Sequence, residues 1–230
     1  MRRLRASPSL RVPAKAAAAV RTGARLLRRR RTRYAVAKRG LDIVVCLLAM
    51  PFIVPLALLC AGAVKAGSTG PVFFRQRRAG RGGRPFEMIK FRTMSVDAEA
   101  VKAALRAENG FDGPDFKLVK DPRVTPVGHF LRRTSLDELP QVWNILVGDM
   151  TLVGPRPTSF GVDVYTPWHQ ERLEVTPGLT GLWQIKARGD TDFDERVRLD
   201  VAYVRERTLW LDISILAKTL PSVLLQRGAH

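Results

Sequence analysis

The chain has 230 residues, of which 46% are hydrophobic and 26% charged, with two cysteines and a formal net charge of +18. That size and apolar content exclude a disordered chain, and two cysteines exclude a disulfide scaffold, so one domain with a sizeable core plus appendages is expected. The charge is local: residues 1–41 carry fourteen Lys and Arg and no acid, which leaves +4 for everything after them.

Residues 1–37, with RLLRRRRTR at 25–33, are too polar and too poor in large apolar side chains to form a core. This arm is expected to be largely disordered or only partly helical. Such a run suits either nucleic acid or an anionic leaflet. The uncharged stretch next in the chain favours the leaflet, where each Lys or Arg contributes about 1 kcal/mol, and no nucleic-acid partner is expected. The charged region is too long for a secretory signal, and no small-residue cleavage site comes after a short apolar core.

Residues 43–64 read IVVCLLAMPFIVPLALLCAGAV, twenty-two in a row without a charge. As a helix about 33 Å long they could cross a bilayer core of about 30 Å. Two features point instead to a helix that enters and leaves by the same face. Pro51 and Pro55 lie in the middle, where each removes a backbone hydrogen bond and bends the helix. Both flanks are basic, with Lys38 and Arg39 before and Lys65, Arg75, Arg77 and Arg78 after, so both ends are expected in the cytoplasm. A break at Met50 and Pro51 satisfies both observations, and a straight span is the alternative. Cys46 and Cys60 lie in this stretch without metal-ligand or disulfide spacing, and are read as small apolar residues.

A hairpin is expected next, with residues 72–74 as one arm, a glycine-rich turn over 79–85 and a return arm over 86–94. The G-x-G-G in that turn lacks the strand-to-helix context of a nucleotide loop. Lys90 stands in the return arm among alternating apolar and polar residues. Residues 95–109 have helical spacing, and 111–128 read as loop and short strand. His129 and His169 share no metal-ligand spacing and are read as surface or structural residues.

Residues 132–157, RRTSLDELPQVWNILVGDMTLVGPRP, concentrate the chemistry. Asp137 and Glu138 adjoin, with Arg132 and Arg133 before them and Gly154, Pro155, Arg156 and Pro157 after, a crowding of charge that suits a bound phosphate. Ser135 and Glu138 also match a helix capping box, but Pro140 falls where such a helix needs an amide donor. A helix beginning nearer Glu138 puts Pro140 in its first turn, Asp137 at its mouth and Gly148 at its C-terminal cap. Aspartate, with an ordinary pKa of about 3.9, is anionic at neutral pH and can attack phosphorus without a general base. Neighbouring carboxylates do not face each other across a bond, so a glycosidase pair is a poor fit, and Glu138 is read as a metal-holding or proton-handling neighbour. Attack of a carboxylate on a diphosphate requires cations, here Mg²⁺ held by Asp137 and Glu138 together with arginine.

This block resembles the core signature of the bacterial sugar transferases called monotopic phosphoglycosyl transferases. The likeness covers roughly residues 38–225, through KRGLDIVV, FFRQRRAGRGGRPFEMIKFRTM, VTPGLTGLWQIKAR and WLDISILAKT. It implies a small α/β catalytic domain on the cytoplasmic face of the bacterial inner membrane, with a re-entrant membrane helix and interfacial amphipathic helices. Pro51 falls at the family's helix-breaking proline, and Met50 stands where relatives often have Ser. The implied reaction carries a sugar 1-phosphate from a UDP-sugar to undecaprenyl phosphate through a phosphosugar on Asp137, with release of UMP. Lys90, Arg132, Arg156 and Arg188 would offset phosphate charge, and Gly154, Pro155 and Pro157 would help Arg156 shape the nucleotide pocket.

Residues 194–206 read as a charged, solvated helix in which Asp200 is an ordinary charge. Residues 209–225 are apolar on too many sides for a free surface helix and are expected to pack on the domain or lie in the membrane interface. Asp212 within them is a lone acid that is either salt-bridged or turned toward the site, and the resemblance favours the site. Downstream glycosyltransferases and a second copy of the chain are left open as partners. Two rival readings remain: a catalytically idle, membrane-docked binding module using the basic arm, and an ordinary glycosyltransferase that releases UDP.

Overall fold

The computed structural model describes residues 14–98, 100–101, 121–158, 165–186 and 192–224, without the side chains of 14–30, 220 and 222–224. One helix, α1 (Ala14–Gly67), carries both most of the basic arm and the apolar stretch. Helical structure continues through Pro51 and Pro55, so the break expected at Met50 and Pro51 is absent as an interruption. An interior proline loses one hydrogen bond and crowds the preceding turn, which bends a helix without having to end it. From Arg31 to Gly67 the helix is long and apolar enough to cross a membrane by length and composition.

Both ends of the apolar stretch rest on the same domain. At the first end the KRGLD sequence docks through polar groups. Lys38 Nζ pairs with Asp212 at 3.1 Å, and Arg39 donates to the carbonyls of Ile145 at 2.5 Å and Leu146 at 2.7 Å. Asp42 is 3% exposed and accepts from the Thr151 hydroxyl at 2.6 Å and the Leu152 amide at 3.0 Å. The far end docks through apolar contact, where Cys60 and Val64 join Phe91 and Leu131 in a small core. Between them Cys46, Met50 and Ile53 pack into the main core with Met88, Ile145 and Val153. The opposite face is bare: Leu48, Phe52 and Leu59 are 71%, 79% and 72% exposed.

Among the described residues the remainder mixes helix with two two-stranded sheets. Strands β1 (Phe73–Ala79) and β2 (Pro85–Phe91) form the expected hairpin, with a longer first arm than expected and with Lys90 opposite Phe74. Strands β3 (Thr151–Val153) and β4 (Gly178–Thr180) pair in parallel. Helix α2 (Pro126–Arg133) begins on a Thr125 hydroxyl that accepts from the Gly128 amide at 3.0 Å, with Pro126 at its first position. The later helices are α3 (Gln141–Val147), α4 (Leu182–Lys186), α5 (Phe193–Glu206) and α6 (Leu209–Leu224). Asp212, fully buried on α6, accepts from Tyr34 at 2.8 Å and Tyr203 at 2.7 Å besides Lys38, tying α6 to α1 and α5. Trp210 and Ile213 on the same helix are exposed. The helix expected over 95–109 falls mostly outside the described residues.

The Asp42→Ala variant strips the acceptor from a buried hydroxyl and a buried amide, each worth about 1–3 kcal/mol when left unmet. Its thermal midpoint in detergent should fall by roughly 4 °C or more. Asp42→Asn keeps one acceptor oxygen and should fall less; equal midpoints for all three proteins would contradict this docking role.

Candidate active site

The acidic pair sits in a turn ahead of the helix. After α2 the chain passes Ser135 in the left-handed region, at φ 57° and ψ 16°, and enters a 3-10 turn over Leu136–Glu138. Ser135 is the one non-glycine residue with positive φ among the described residues, a conformation costing about 1–2 kcal/mol. Its side chain makes no capping bond, so the S-x-x-E pattern is not a capping box here. Pro140 occupies the N-cap of α3, and regular helix begins at Gln141, later than the expected start near Glu138. Gly148 closes α3 at φ 97°, as its sequence position implied. Leu136 and Leu139 pack on the core of Cys60, Val64, Phe91 and Leu131. The LDEL sequence thereby anchors the turn through its leucines and sets both acids beside Lys90.

Those two carboxylates have opposite characters. Lys90 Nζ lies 2.7 Å from Glu138 Oε1 and 3.8 Å from Asp137 Oδ2. Arg156 Nη1 donates to Glu138 Oε2 at 3.2 Å, and its Nη2 pairs with Oε1. Burial alone would lift the Glu138 carboxyl, but Arg156 and Lys90 outweigh it and hold the group far below the usual carboxylate range. A carboxylate held this way keeps its charge near neutral pH, so this geometry gives no support to proton handling by Glu138. For Asp137, burial pushes the carboxyl up; Lys90, Arg156 and Arg132 pull it down without overcoming burial and the adjacent Glu138 charge. Glu138 is thus a neutralised anchor, and Asp137 a poorly solvated carboxyl group beside cations, its pKa raised chiefly by burial.

The cations are held from several elements. The Asn144 side chain on α3 accepts from the Ile89 amide at 3.0 Å and donates to the Glu87 carbonyl at 2.7 Å, clamping α3 to β2 one residue from Lys90. Arg132, at the end of α2, donates from Nε to Thr93 Oγ1 at 2.9 Å and lies in the field of Asp137. Arg156 sits between Pro155, whose ring fixes its own φ, and Pro157, which restricts the Arg156 backbone to extended conformations. Gly154 is required by close approach: a Cβ there would lie 2.7 Å from the Thr176 carbonyl oxygen. Its amide donates to Thr180 O at 2.8 Å, and the Gly178 amide donates to Pro155 O at 2.9 Å, so the end of β3 is stitched to β4.

Of the residues singled out from sequence, Lys90, Asp137, Glu138 and Arg156 come together, with Arg132 alongside and Gly154, Pro155 and Pro157 framing the arginine. Asp212 makes its polar contacts with Tyr34, Lys38 and Tyr203, none of them in this cluster. Arg188 lies outside the described residues. His169 is buried, its Nε2 3.0 Å from Asp194 and its ring against Trp168 and Phe193. Sequence reasoning missed Asn144, Arg172 and Asp200. Asp200 is not an ordinary solvated charge: it is fully buried and paired with Arg172 at 2.5 Å. The signal was present, since Asp200 falls in the apolar stripe of Val197, Val201 and Val204 at helical spacing.

Among the described residues no group of three or more His, Cys, Asp or Glu could hold a metal ion. Mg²⁺ is often held by one or two carboxylates with substrate phosphates completing the shell; both Glu138 oxygens are engaged by Lys90 and Arg156, so of the pair it is Asp137 that fits that mode and Glu138 does not.

A buried carboxylate with Lys90 3.8 Å away and Arg132 and Arg156 in its field thus sits on a small domain docked to a long apolar helix. The chain belongs to the bacterial sugar transferase family, whose model matches residues 33–226. It is 46% identical over 198 residues to the galactosyl transferase CpsE of Streptococcus agalactiae serotype III, a match covering 84% of this chain and 43% of that protein. It is 40% identical over 200 residues to the exopolysaccharide production protein ExoY of Sinorhizobium fredii, covering 85% of this chain and 88% of ExoY. Against a UDP-glucose:undecaprenyl-phosphate glucose-1-phosphate transferase of Caulobacter vibrioides it is 42% identical over 204 residues, covering 84% and 72% respectively. The chain therefore spans less than half the length of CpsE and most of the other two.

Lys90 is the strongest downward influence on Asp137, so Lys90→Met should raise the Asp137 titration midpoint in isotope-edited infrared spectra. Glu138→Gln removes a like charge and should lower it. Opposite signs would refute the electrostatic assignment.

Proposed function

We propose that this chain is a phosphoglycosyl transferase that moves a sugar 1-phosphate from a UDP-sugar to a polyprenol phosphate, opening the assembly of a surface polysaccharide or glycoconjugate. The observation that carries the reading is the division of labour in the acid pair. Glu138 takes up the charge of Lys90 and Arg156, while Asp137 stays a buried anion with a raised pKa, the state that suits a carboxylate nucleophile.

In the first step an Asp137 oxygen attacks the phosphorus that bears the sugar. The new bond joins that oxygen to phosphorus, the bond to the bridging diphosphate oxygen breaks, and UMP leaves with the electron pair. In the second step an oxygen of the polyprenol phosphate attacks the same phosphorus, the acyl phosphate bond breaks, and Asp137 returns as a carboxylate. Both nucleophiles are already anions, so neither step needs a general base, in keeping with a Glu138 that stays ionised. Lys90, Arg132 and Arg156 offset the charge brought together in both steps. Mg²⁺ held by Asp137 with the donor phosphates would neutralise further diphosphate charge, Glu138 being already engaged by Lys90 and Arg156.

The acceptor cannot leave a bilayer, so the site must sit at one. We place the domain on the cytoplasmic face, with the apolar stretch of α1 entering from that side and returning to it, and the basic arm against anionic headgroups. Two observations support this placement: both ends of the stretch rest on one domain, and its outer face is bare. An apolar cavity of about 360 Å³ lies between α1 and the domain, lined by Met50, Ile53, Ala57, Phe91, Pro140 and Trp143 among others. We place the prenyl chain of the acceptor in this cavity, whose lining includes Leu139 and Pro140, the residues that follow the acid pair in the chain. Glycosyltransferases acting on the lipid-linked product are the partners this reaction calls for.

With donor alone, the purified full chain should release UMP and gain the mass of a sugar phosphate on Asp137; Asp137→Asn should do neither. Release of UDP, or turnover by Asp137→Asn, would sink the covalent scheme. Separately, Ala57→Trp fills the cavity and should raise the KM for polyprenol phosphate by about tenfold or more, leaving the donor-only burst of UMP unchanged.

A further inference from the structure

Arg172 and Asp200 form a buried ion pair outside the acid pair's own contacts, with side chains 4% and 1% exposed. Arg172 belongs to a 3-10 turn over His169–Glu174, and Asp200 to the inner face of α5. Two ions taken out of water seldom repay their desolvation, and an apolar pair of the same volume commonly serves stability as well or better. The cost is visible here: burial pushes the Asp200 carboxyl up to about 6 against the pull of Arg172. The pair is also incompletely satisfied, since Asp200 Oδ1 and Arg172 Nε have no hydrogen-bond partner among the described residues. An arrangement this costly calls for a use that packing does not supply.

The use is in what else Arg172 grips. Its Nη2 donates to the Arg156 carbonyl at 2.7 Å as well as to Asp200, and its Nη1 donates to the Tyr165 hydroxyl at 3.2 Å. That hydroxyl in turn bonds the Thr158 hydroxyl. Arg172 therefore reaches residues 156 and 158 at once, immediately after the point where the Gly178 amide holds Pro155. The Arg156 side chain, in contrast, remains 31% exposed and reaches Glu138 on a long, flexible stem.

We propose that Arg172, oriented by Asp200, is a positioning residue for the site: it fixes the backbone from which Arg156 extends and so keeps that guanidinium on Glu138. The inference rests on the catalytic reading of Asp137 and Glu138 for its readout. Lysine at 172 would keep the charge and could still meet Asp200, but a single ammonium cannot reproduce the planar fork that holds the Arg156 carbonyl and the Tyr165 hydroxyl together.

The test is a double-mutant cycle on the full chain in detergent, read by UMP release from donor and by thermal midpoint. Arg172→Lys should lower kcat/KM by about tenfold or more, with a midpoint within about 4 °C of the parent. Arg156→Lys should lower it as well, and the double variant should be no worse than Arg156→Lys alone, within about twofold. Additive losses would overturn the proposal, because a structural ion pair has no reason to depend on which side chain stands at 156. So would parental turnover in Arg172→Lys. Should that variant fail to fold, Tyr165→Phe removes only the hydroxyl that links Arg172 to Thr158, and the same cycle applies. Turnover by Asp137→Asn would instead refute the covalent reading; the coupling between 156 and 172 would still be decided by whatever activity depends on Arg156.

Discussion

The contact on which the site depends is the one Glu138 makes with Lys90 and Arg156 together. Two half-buried cations without that carboxylate would repel each other and any third positive group, and Glu138 without them would be a half-buried charge that desolvation pushes toward protonation. Joined, they form a neutralised platform beside which Asp137 can remain anionic yet poorly solvated. The rest of the domain can be understood as support for this triad. The Asn144 clamp sets β2 against α3, the leucines of LDEL pin the turn, and the glycines at 154 and 178 let the chain carrying Arg156 lie against β4.

Much of this was legible in the sequence, though unevenly. The hairpin and the helices over 193–206 and 209–224 are readable from period and punctuation, and Gly148 marks the end of α3. The proximity of Lys90, Asp137, Glu138 and Arg156 is not readable from physics alone. They are 48 residues apart at the widest hydrogen-bonded step, and local pattern carries no information on which strand meets which turn. Asp137, Glu138 and Arg156 are grouped by the crowding of charge in one stretch, and Lys90 joins them only through the resemblance, which the family match bears out as a statement of kinship.

Where local reasoning fails, a competing interaction explains it. Ser135 looks like a cap because its neighbours spell one, but anchoring of Leu136 and Leu139 in the core takes precedence and forces it into a left-handed turn. Asp200 reads as one of many charges on a polar helix, although its stripe position places it inward; its partner, 28 residues away, could not be inferred from α5 alone. Lys38 and Arg39 read as the basic flank of an apolar segment, yet each meets a specific group on the domain. Charge counting alone does not distinguish a membrane flank from a docking strip.

The double anchoring of α1 has a consequence for how such chains can diverge. Asp42 is pinned to β3 and Cys60 to the small core, so the helical phase between them is locked at both ends. Adding or deleting one residue would turn one anchor by about 100° and shift it by about 1.5 Å relative to the other. Side chains on the bare face of this stretch are free to drift so long as they stay greasy, while its length in residues is not.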